Sequence, residues 1–286
     1  MTELQIREAK AGDAEVLGRI FFDSFESLAT RHAFPVEPGT PEFTDFQMKS
    51  MLAADGIFGV VAERDGEIIG SGFQDERGAI VGVGPISVDP SAMDVGVGRA
   101  LMEALLQRSR DRAVAGVRLV QTAYHYRSLS LYAKLGFAVR EPLSVFQGVP
   151  KAAAVPGASV RPATVDDMQA CDAICLAVHG HDRHSELQDW VSAGTARVVE
   201  RGGAITGYAT GFGYGWHAVG RTDDDIVALL QSAEMFMALG ILVPSRNTAL
   251  MAWCLDSGLR LLQQSTLMSI GLYNEPHGSW LPSIGY

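Results

Sequence analysis

The sequence predicts an α/β protein with a mixed α+β sheet, organised as two similar domains in tandem. Segments of helical period alternate with short apolar strands, which suits layers of helix on sheet rather than an all-helical bundle. Three short motifs of the first half recur in the same order in the second. Between the copies lies GVPKAAAVPGAS (148–159), small residues with two prolines and no periodic pattern, the composition of a linker.

In chain order, residues 4–8 read as a strand. Over 13–29, Val16, Leu17, Ile20, Phe21, Phe25 and Leu28 recur at helical spacing. Thr40 is an N-cap followed by Pro41 at the first helical position, opening a helix to about Leu52. Strands follow near 57–63, 67–74 and 79–88, with Asp65 and Gly66 at the turn between the first two. A helix over 97–113, a strand near 117–123, a short helix over 127–135 and a strand over 137–147 complete the first half.

The repeat is read from three pairs. IREAKAGD (6–13) parallels VRPATVDD (160–167), with Arg, Ala and Asp in register. ERDGEIIG (63–70) matches ERGGAITG (200–207) at five of eight positions. YAKLGF (132–137) parallels CLDSGL (254–259), each a helix stopped by glycine before a strand. The second copy is the shorter, and a boundary near residue 155 gives expected domains of 1–150 and 158–286.

Composition narrows the class. The chain has 286 residues, 47% hydrophobic and 20% charged, enough to bury a core in each of two domains. No apolar run approaches the ~20 residues of a membrane span. The charged N-terminus lacks the apolar core of a secretory signal. Three cysteines make no disulfide framework, and an odd count fits a reducing compartment. The expected location is therefore cytoplasmic. A formal charge of −10 argues against nucleic acid as a partner and suits a cationic substrate.

VDPSAMDVGVGRALMEALL (88–106) carries a glycine loop into a helix. A dinucleotide fingerprint fails, because Leu101 stands at the third glycine, seven residues separate the strand end from Gly96, and no acid lies near 116–120. No G-x-x-x-x-G-K-[ST] string exists. What remains is a pyrophosphate cradled by consecutive amides at a helix N-terminus, approached closely because Gly96 and Gly98 lack Cβ atoms, with Arg99 as a cation at the rim.

ISVDPSAMDVGVGRALMEALL followed by HYRSLSLYAKLGF resembles the two acyl-CoA-binding motifs of the GNAT acetyltransferase superfamily. Val88 and Pro90, Gly96 and Gly98, and Leu131, Tyr132, Lys134, Gly136 and Phe137 carry the likeness. Met93 departs from the usual Gln or Arg, and His125 from the usual Asn. The resemblance implies two GNAT-like domains with acetyl-CoA as co-substrate and no metal. It implies a cofactor site of Ile86, Ser87, Val88, Met93, Asp94, Val95, Gly96, Val97, Gly98, Arg99, Ala100, His125, Tyr132 and Lys134. Backbone N–H groups of the fourth strand, 86–88, would hold the pantetheine and the thioester oxygen, and Gly82, Gly84 and Pro85 suit a bulge before them. Tyr132 would donate a proton to the departing thiolate.

The second copy reads AVGRTDDDIVALLQ (218–231) where the cradle belongs. Thr222 is an N-cap, and Asp223, Asp224 and Asp225 fill the first turn. Those carboxylates suit the helix and repel a pyrophosphate. The second domain is therefore expected to be degenerate, without its own CoA, and by resemblance to shape the acceptor pocket. Asn247 falls at the motif's Asn position.

The base is open, because AIVGVGPISV (79–88) has no carboxylate. Candidates are Asp75, Glu76, His217 and the carboxylate of Tyr286, with a water chain as the alternative. Cys171, Cys175 and His179 lie at i, i+4, i+8, with His181 and His184 nearby. That spacing suits zinc, but also a packing face with a His-rich helix end, which is the preferred reading. Trp190, Trp216, Trp253 and Trp280 are either core or pocket. The function expected is N-acetylation of a small-molecule primary amine by direct attack in a ternary complex, by a monomer or homodimer. The alternatives are acetylation of a protein or peptide and a non-catalytic acyl-CoA sensor.

Overall fold

The computed structural model describes residues 4–37, 39–93, 96–151 and 154–285. The first half runs β1 (Gln5–Glu8), α1 (Ala14–His32), α2 (Pro41–Ala53), β2 (Ile57–Arg64), β3 (Glu67–Asp75), β4 (Ile80–Val88), α3 (Val97–Asp111), β5 (Gly116–Thr122), α4 (Tyr126–Lys134) and β6 (Ala138–Gln147). The second runs β7 (Ser159–Pro162), α5 (Met168–His179), α6 (His184–Ser192), β8 (Arg197–Arg201), β9 (Ala204–Ala209), β10 (Ala218–Gly220), α7 (Asp223–Gln231), β11 (Ile241–Pro244), α8 (Thr248–Asp256), β12 (Arg260–Gly271) and β13 (Ser279–Leu281). The fold is mixed α/β, with one sheet in the order β1-β2-β3-β4-β5-β12-β6-β11 and a second in the order β13-β10-β9-β8-β7.

Local chemistry accounts for most element ends. Thr40 accepts a hydrogen bond from the Phe43 N–H at 3.3 Å, with Pro41 in the first turn of α2. Asp65 and Gly66, at φ 56° and 80°, turn the β2–β3 hairpin, and Gly202 and Gly203, at 57° and 81°, turn β8–β9. Valines alternate across β2: Val60 and Ala62 join the core under α3, while Val61 joins the core under α1 and α2. The helices therefore cover opposite faces of the first sheet.

The repeat has a physical content. Arg7 donates to Glu63 at 2.9 Å and to Asp13 at 2.8 Å and 3.1 Å. Arg161 donates to Glu200 at 2.9 Å and to Asp167 at 2.7 Å and 2.8 Å. Thus the Arg, Asp and Glu of the repeated motifs clamp the first strand, the first turn and the hairpin together, once in each half.

In space the halves interlock. β12 lies between β5 and β6, and β6 lies between β12 and β11. The registers are related by an approximate two-fold: Arg260 faces Gln147 and Ser269 faces Ala138, while Met268 faces Leu119 and Ile241 faces Phe146. Strands from both sides of the 148–159 linker thus share one sheet. The cores follow: Met268 is buried with Val117, Leu101 and Leu105, and Leu143 and Val145 are buried with Val198 and Trp280.

Candidate active site

β4 is the element on which the site is built. It pairs with β5 in parallel through Ile80, Val81 and Gly82, after which the two strands part. Against β3 its register shifts between Gly72 and Gln74, where Gly84 and Pro85 place an extra residue on β4. Ile86, Ser87 and Val88 then face Gly72, Ser71 and Gly70. The Asp89 N–H donates to the Ile69 carbonyl at 2.9 Å, so that pair is hydrogen-bonded. Bonded and open pairs alternate along an antiparallel ladder. Ser87 therefore turns its peptide groups to β3, while Ile86 and Val88 turn theirs into the gap left by β5. Among the described residues nothing bonds to that edge, and the Ser87 hydroxyl is buried without a partner.

Beyond β4, Asp89 caps a short 3-10 turn through Ser91, and Met93 follows it. Asp94 and Val95 lie outside the described residues. Gly96 sits at φ 88° and its carbonyl accepts from Ala100 at 3.0 Å. The amides of Val97, Gly98 and Arg99 have no intrahelical acceptor, among the described residues no side chain caps α3, and its first turn holds no acid. Gly98 is helical, and a Cβ there would meet Val88 and Leu131 at an ordinary 3.7 Å and 3.8 Å. Packing gives no reason for glycine at a helical position where it costs about 1 kcal/mol relative to alanine. Close approach of a ligand would. Arg99 is exposed and pairs with Glu103 at 3.3 Å.

α4 packs beside this helix start through Leu131, next to Gly98 and Val88. His125 precedes α4 without capping it by its side chain. Burial, reinforced by Arg127, His32 and Arg31, lowers its pKa to about 4, so the imidazole is neutral near pH 7, with one donor and one acceptor nitrogen. Tyr132 lies in one apolar cluster with Ile86, Val88 and Leu129. Burial pushes its phenol up to about 12, which keeps the proton on. Lys134 is exposed at the end of α4.

Residues 21–137 match the sequence profile of the acetyltransferase (GNAT) family. The IAA acetyltransferase of Azospirillum brasilense is 31% identical over 109 residues, covering 35% of this chain and 71% of that protein. The chain belongs to the GNAT acetyltransferase family. The mycothiol acetyltransferase of Thermomonospora curvata is 39% identical over 83 residues, 29% of this chain and only 27% of the relative. The fold is that of a Pyrococcus horikoshii protein described as an acetyltransferase, with a TM-score of 0.73 at 19% identity over 96% of this chain and 94% of that one.

The second GNAT-like half covers the matching strand edge and places acids at the matching helix start. The Arg221 N–H donates to the Thr206 carbonyl at 3.0 Å, so Ala218 and Gly220 turn their peptide groups outward, as Ile86 and Val88 do. There β13 pairs with them, Ala218 with Leu281 and Gly220 with Ser279. At α7, Asp225 accepts from the Thr222 N–H at 3.0 Å and from its hydroxyl at 2.8 Å, while its other oxygen takes Arg201 and Thr206, each at 2.8 Å. Asn247 donates to Asp223 at 2.7 Å and accepts from the Leu250 N–H at 3.0 Å. It ties the starts of α7 and α8 together.

The base candidates fall in different places. Asp75 is engaged by Arg77, and Glu76 by Arg108 at 2.6 Å and Arg112 at 3.0 Å. Burial raises the Glu76 carboxyl, but the arginines and Gln74 bring it below its ordinary value. His217 is buried against Tyr208 at 3.0 Å and Glu186 at 3.3 Å. Tyr286 lies outside the described residues. Cys171 and Cys175 are free, buried thiols pushed by burial up to about 12 and about 11, and His179 lies edge-on to Trp280. Among the described residues no group of three His, Cys, Asp or Glu is placed to hold a metal. Trp280 is core, while Trp190 and Trp216 meet edge-to-face at 5.5 Å, and Trp253 is half-buried beside α7.

One carboxylate escaped the sequence reading. Glu37, between α1 and α2, accepts hydrogen bonds at Oε1 from Thr122 at 2.7 Å, Gln263 at 2.8 Å and Tyr214 at 3.4 Å. It sits in a loop with no periodic pattern, and two of its three partners come from the other half of the chain. No local signal marks it.

Proposed function

We propose that the protein is an acetyl-CoA-dependent N-acetyltransferase that acetylates a primary amine of a small molecule by direct attack in a ternary complex. The observation that carries this reading is the edge of Ile86 and Val88, unpaired among the described residues, which leads towards the start of α3 at Gly98, where no described side chain caps the helix. Acetyl-CoA, when bound, supplies an activated acetyl thioester.

The chain's own groups divide the work. Backbone amides of Val97, Gly98 and Arg99 bind the pyrophosphate, supported by the positive end of the α3 dipole. Ile86 and Val88 hold the pantetheine amides and polarise the thioester carbonyl, which places donors where negative charge develops. His125 offers a neutral imidazole to the pantetheine arm. Tyr132, protonated at neutral pH, gives its proton to the sulfur as the C–S bond breaks. Met93 adds no phosphate contact of its own, because the amides form the cradle.

Residues 158–286 complete the acceptor side, a reading supported by Tyr214 and Gln263 reaching across to Glu37. Free, buried Cys171, Cys175 and Cys254 support a cytoplasmic setting. No helix among the described residues is long and apolar enough to cross a membrane. Thiol release from acetyl-CoA, measured across primary amines and across peptides, tests the reading. Turnover with small amines is expected; turnover with peptides alone, or CoA binding without turnover, would contradict it.

A further inference from the structure

We infer that Glu37 is the catalytic carboxylate of the acceptor site, receiving the ammonium of the incoming amine at Oε2 and taking its proton. The inference rests on the acetyltransferase reading above. Three donors from three elements, Thr122 of β5, Gln263 of β12 and Tyr214 of the 210–217 loop, converge on Oε1. Among the described residues none donates to Oε2. The anchored oxygen fixes the carboxylate and the other is left for a ligand.

Its surroundings set Glu37 apart. The enclosed carboxylates of Glu76, Glu141, Asp167, Glu186 and Asp225 each have an arginine, at 2.6, 2.6, 2.7, 2.6 and 2.8 Å. Among the described residues no cation pairs with Glu37. An enclosed carboxylate without a counter-charge is costly in a folded chain, and a ligand's cation relieves that cost. Gln263, 4% exposed, gives its Nε2 to Glu37 and leaves its own Oε1 buried without a partner, a second acceptor for the same ammonium. Phe34 stacks on Tyr124 at 4.2 Å and holds the loop in place.

The position is right for the chemistry. Thr122 ends β5 on the far side of the gap that opens beyond Gly82. Glu37 follows α1, on the face opposite α3, so it and the cradle approach that gap from opposite sides. In the step proposed, the Glu37 carboxylate takes one proton from the ammonium, and the nitrogen lone pair forms the C–N bond. The C–S bond breaks as Tyr132 protonates the sulfur, the second amine proton returns to Tyr132, and Glu37 releases its proton to solvent.

Burial holds the Glu37 carboxyl above its ordinary range, against the lowering effect of its three donors. The titratable groups facing it are Tyr214 and Tyr124, both raised by burial and neutral across the working range, with the His32 ring beyond Tyr124 at 5.2 Å. Thr122 and Gln263 are uncharged. A rising limb in kcat/KM through the Glu37 pKa is therefore expected as pH increases.

The test uses the full chain with acetyl-CoA and a panel of tyramine, benzylamine, putrescine and spermidine. Glu37→Gln keeps an acceptor for the three donors. It is expected to bind acetyl-CoA within twofold of wild type and to lose about 100-fold or more in kcat/KM together with the acidic limb. Glu37→Asp is expected to keep a limb with a displaced midpoint, and it decides the matter if the glutamine variant does not fold. Loss of less than fivefold with the limb unchanged in Glu37→Gln, or an unmoved midpoint in Glu37→Asp, overturns the role of Glu37 alone. Wild-type chain that binds acetyl-CoA but acetylates none of the four amines, or that fails to bind it, overturns the acetyltransferase reading and this role with it.

Discussion

Ile86 and Val88 in the first half, and Ala218 and Gly220 in the second, hold the same place in two copies of one fold and differ in what faces them. The first pair looks into a gap; the second is paired with β13. At the next helix the contrast repeats, with Gly98 in a first turn free of acids on one side and Asp225, one of three first-turn aspartates, in a filled hydrogen-bond set on the other. His125 leaves its helix uncapped by its side chain, whereas Asn247 binds Asp223. Yet the Arg-Asp-Glu clamps of the two halves are nearly superimposable in their bonding. What the copies share is scaffold, and what they do not share is the proposed cofactor site.

The largest expected effect comes from separating the halves. Removing residues 158–286 takes β11 and β12 from the larger sheet, with the buried side chains of Leu267 and Met268, each worth about 2–5 kcal/mol. The truncated chain is expected to be insoluble or unfolded by circular dichroism. A soluble, cooperatively melting fragment with full cofactor affinity would mean that the interlocking is dispensable.

Gly98→Glu is the sharpest attack on the open side of the comparison. The side chain has room, so the fold should survive, but it places bulk and negative charge in the cradle. Calorimetry should register a loss of acetyl-CoA affinity of at least about 100-fold with an unchanged melting temperature. Unchanged affinity would show that the loop is misread.

Tyr132→Phe should separate chemistry from binding. Turnover is expected to fall about 10–100-fold while acetyl-CoA affinity stays within twofold. Wild-type turnover would remove Tyr132 from the mechanism.

The smallest effect concerns the scaffold that the halves share. Arg161 holds the Asp167 carboxyl at about 2, below the ordinary 3.8. A depressed folded pKa contributes stability above the unfolded value, and that stability is lost as pH falls from about 3.8 towards 2. Asp167→Asn should cost about 1–2 kcal/mol at pH 7, the pair being partly open to solvent, and should lack that part of the acid loss. A mutant with the wild-type acid profile would place the stability elsewhere.

Much of the fold was legible because its causes are local. The Asp65 and Gly66 turn, the Thr40 and Pro41 helix start and the apolar alternation of β2 each depend on residues a few positions apart. The glycine turn into α3, where the cofactor cradle is proposed, was legible for the same reason, since Gly96, Gly98 and the start of α3 lie on one short stretch. Partner choice between strands is not local. Nothing in residues 260–271 says that they enter between β5 and β6, and the three residues of β13 are too few to read as the strand that covers β10. Asn247, legible only as a motif remnant, proves to be a fastening between two helices. Glu37 was invisible because its meaning comes from Thr122, Tyr214 and Gln263, all distant in sequence.

Amide hydrogen exchange of the full chain, with and without CoA, tests the central asymmetry most directly. Protection is expected in peptides covering 86–88 and 97–100, with no change over 218–225. Protection over 218–225, or none over 86–100 at saturating CoA, would contradict the assignment of the cofactor to the first half alone.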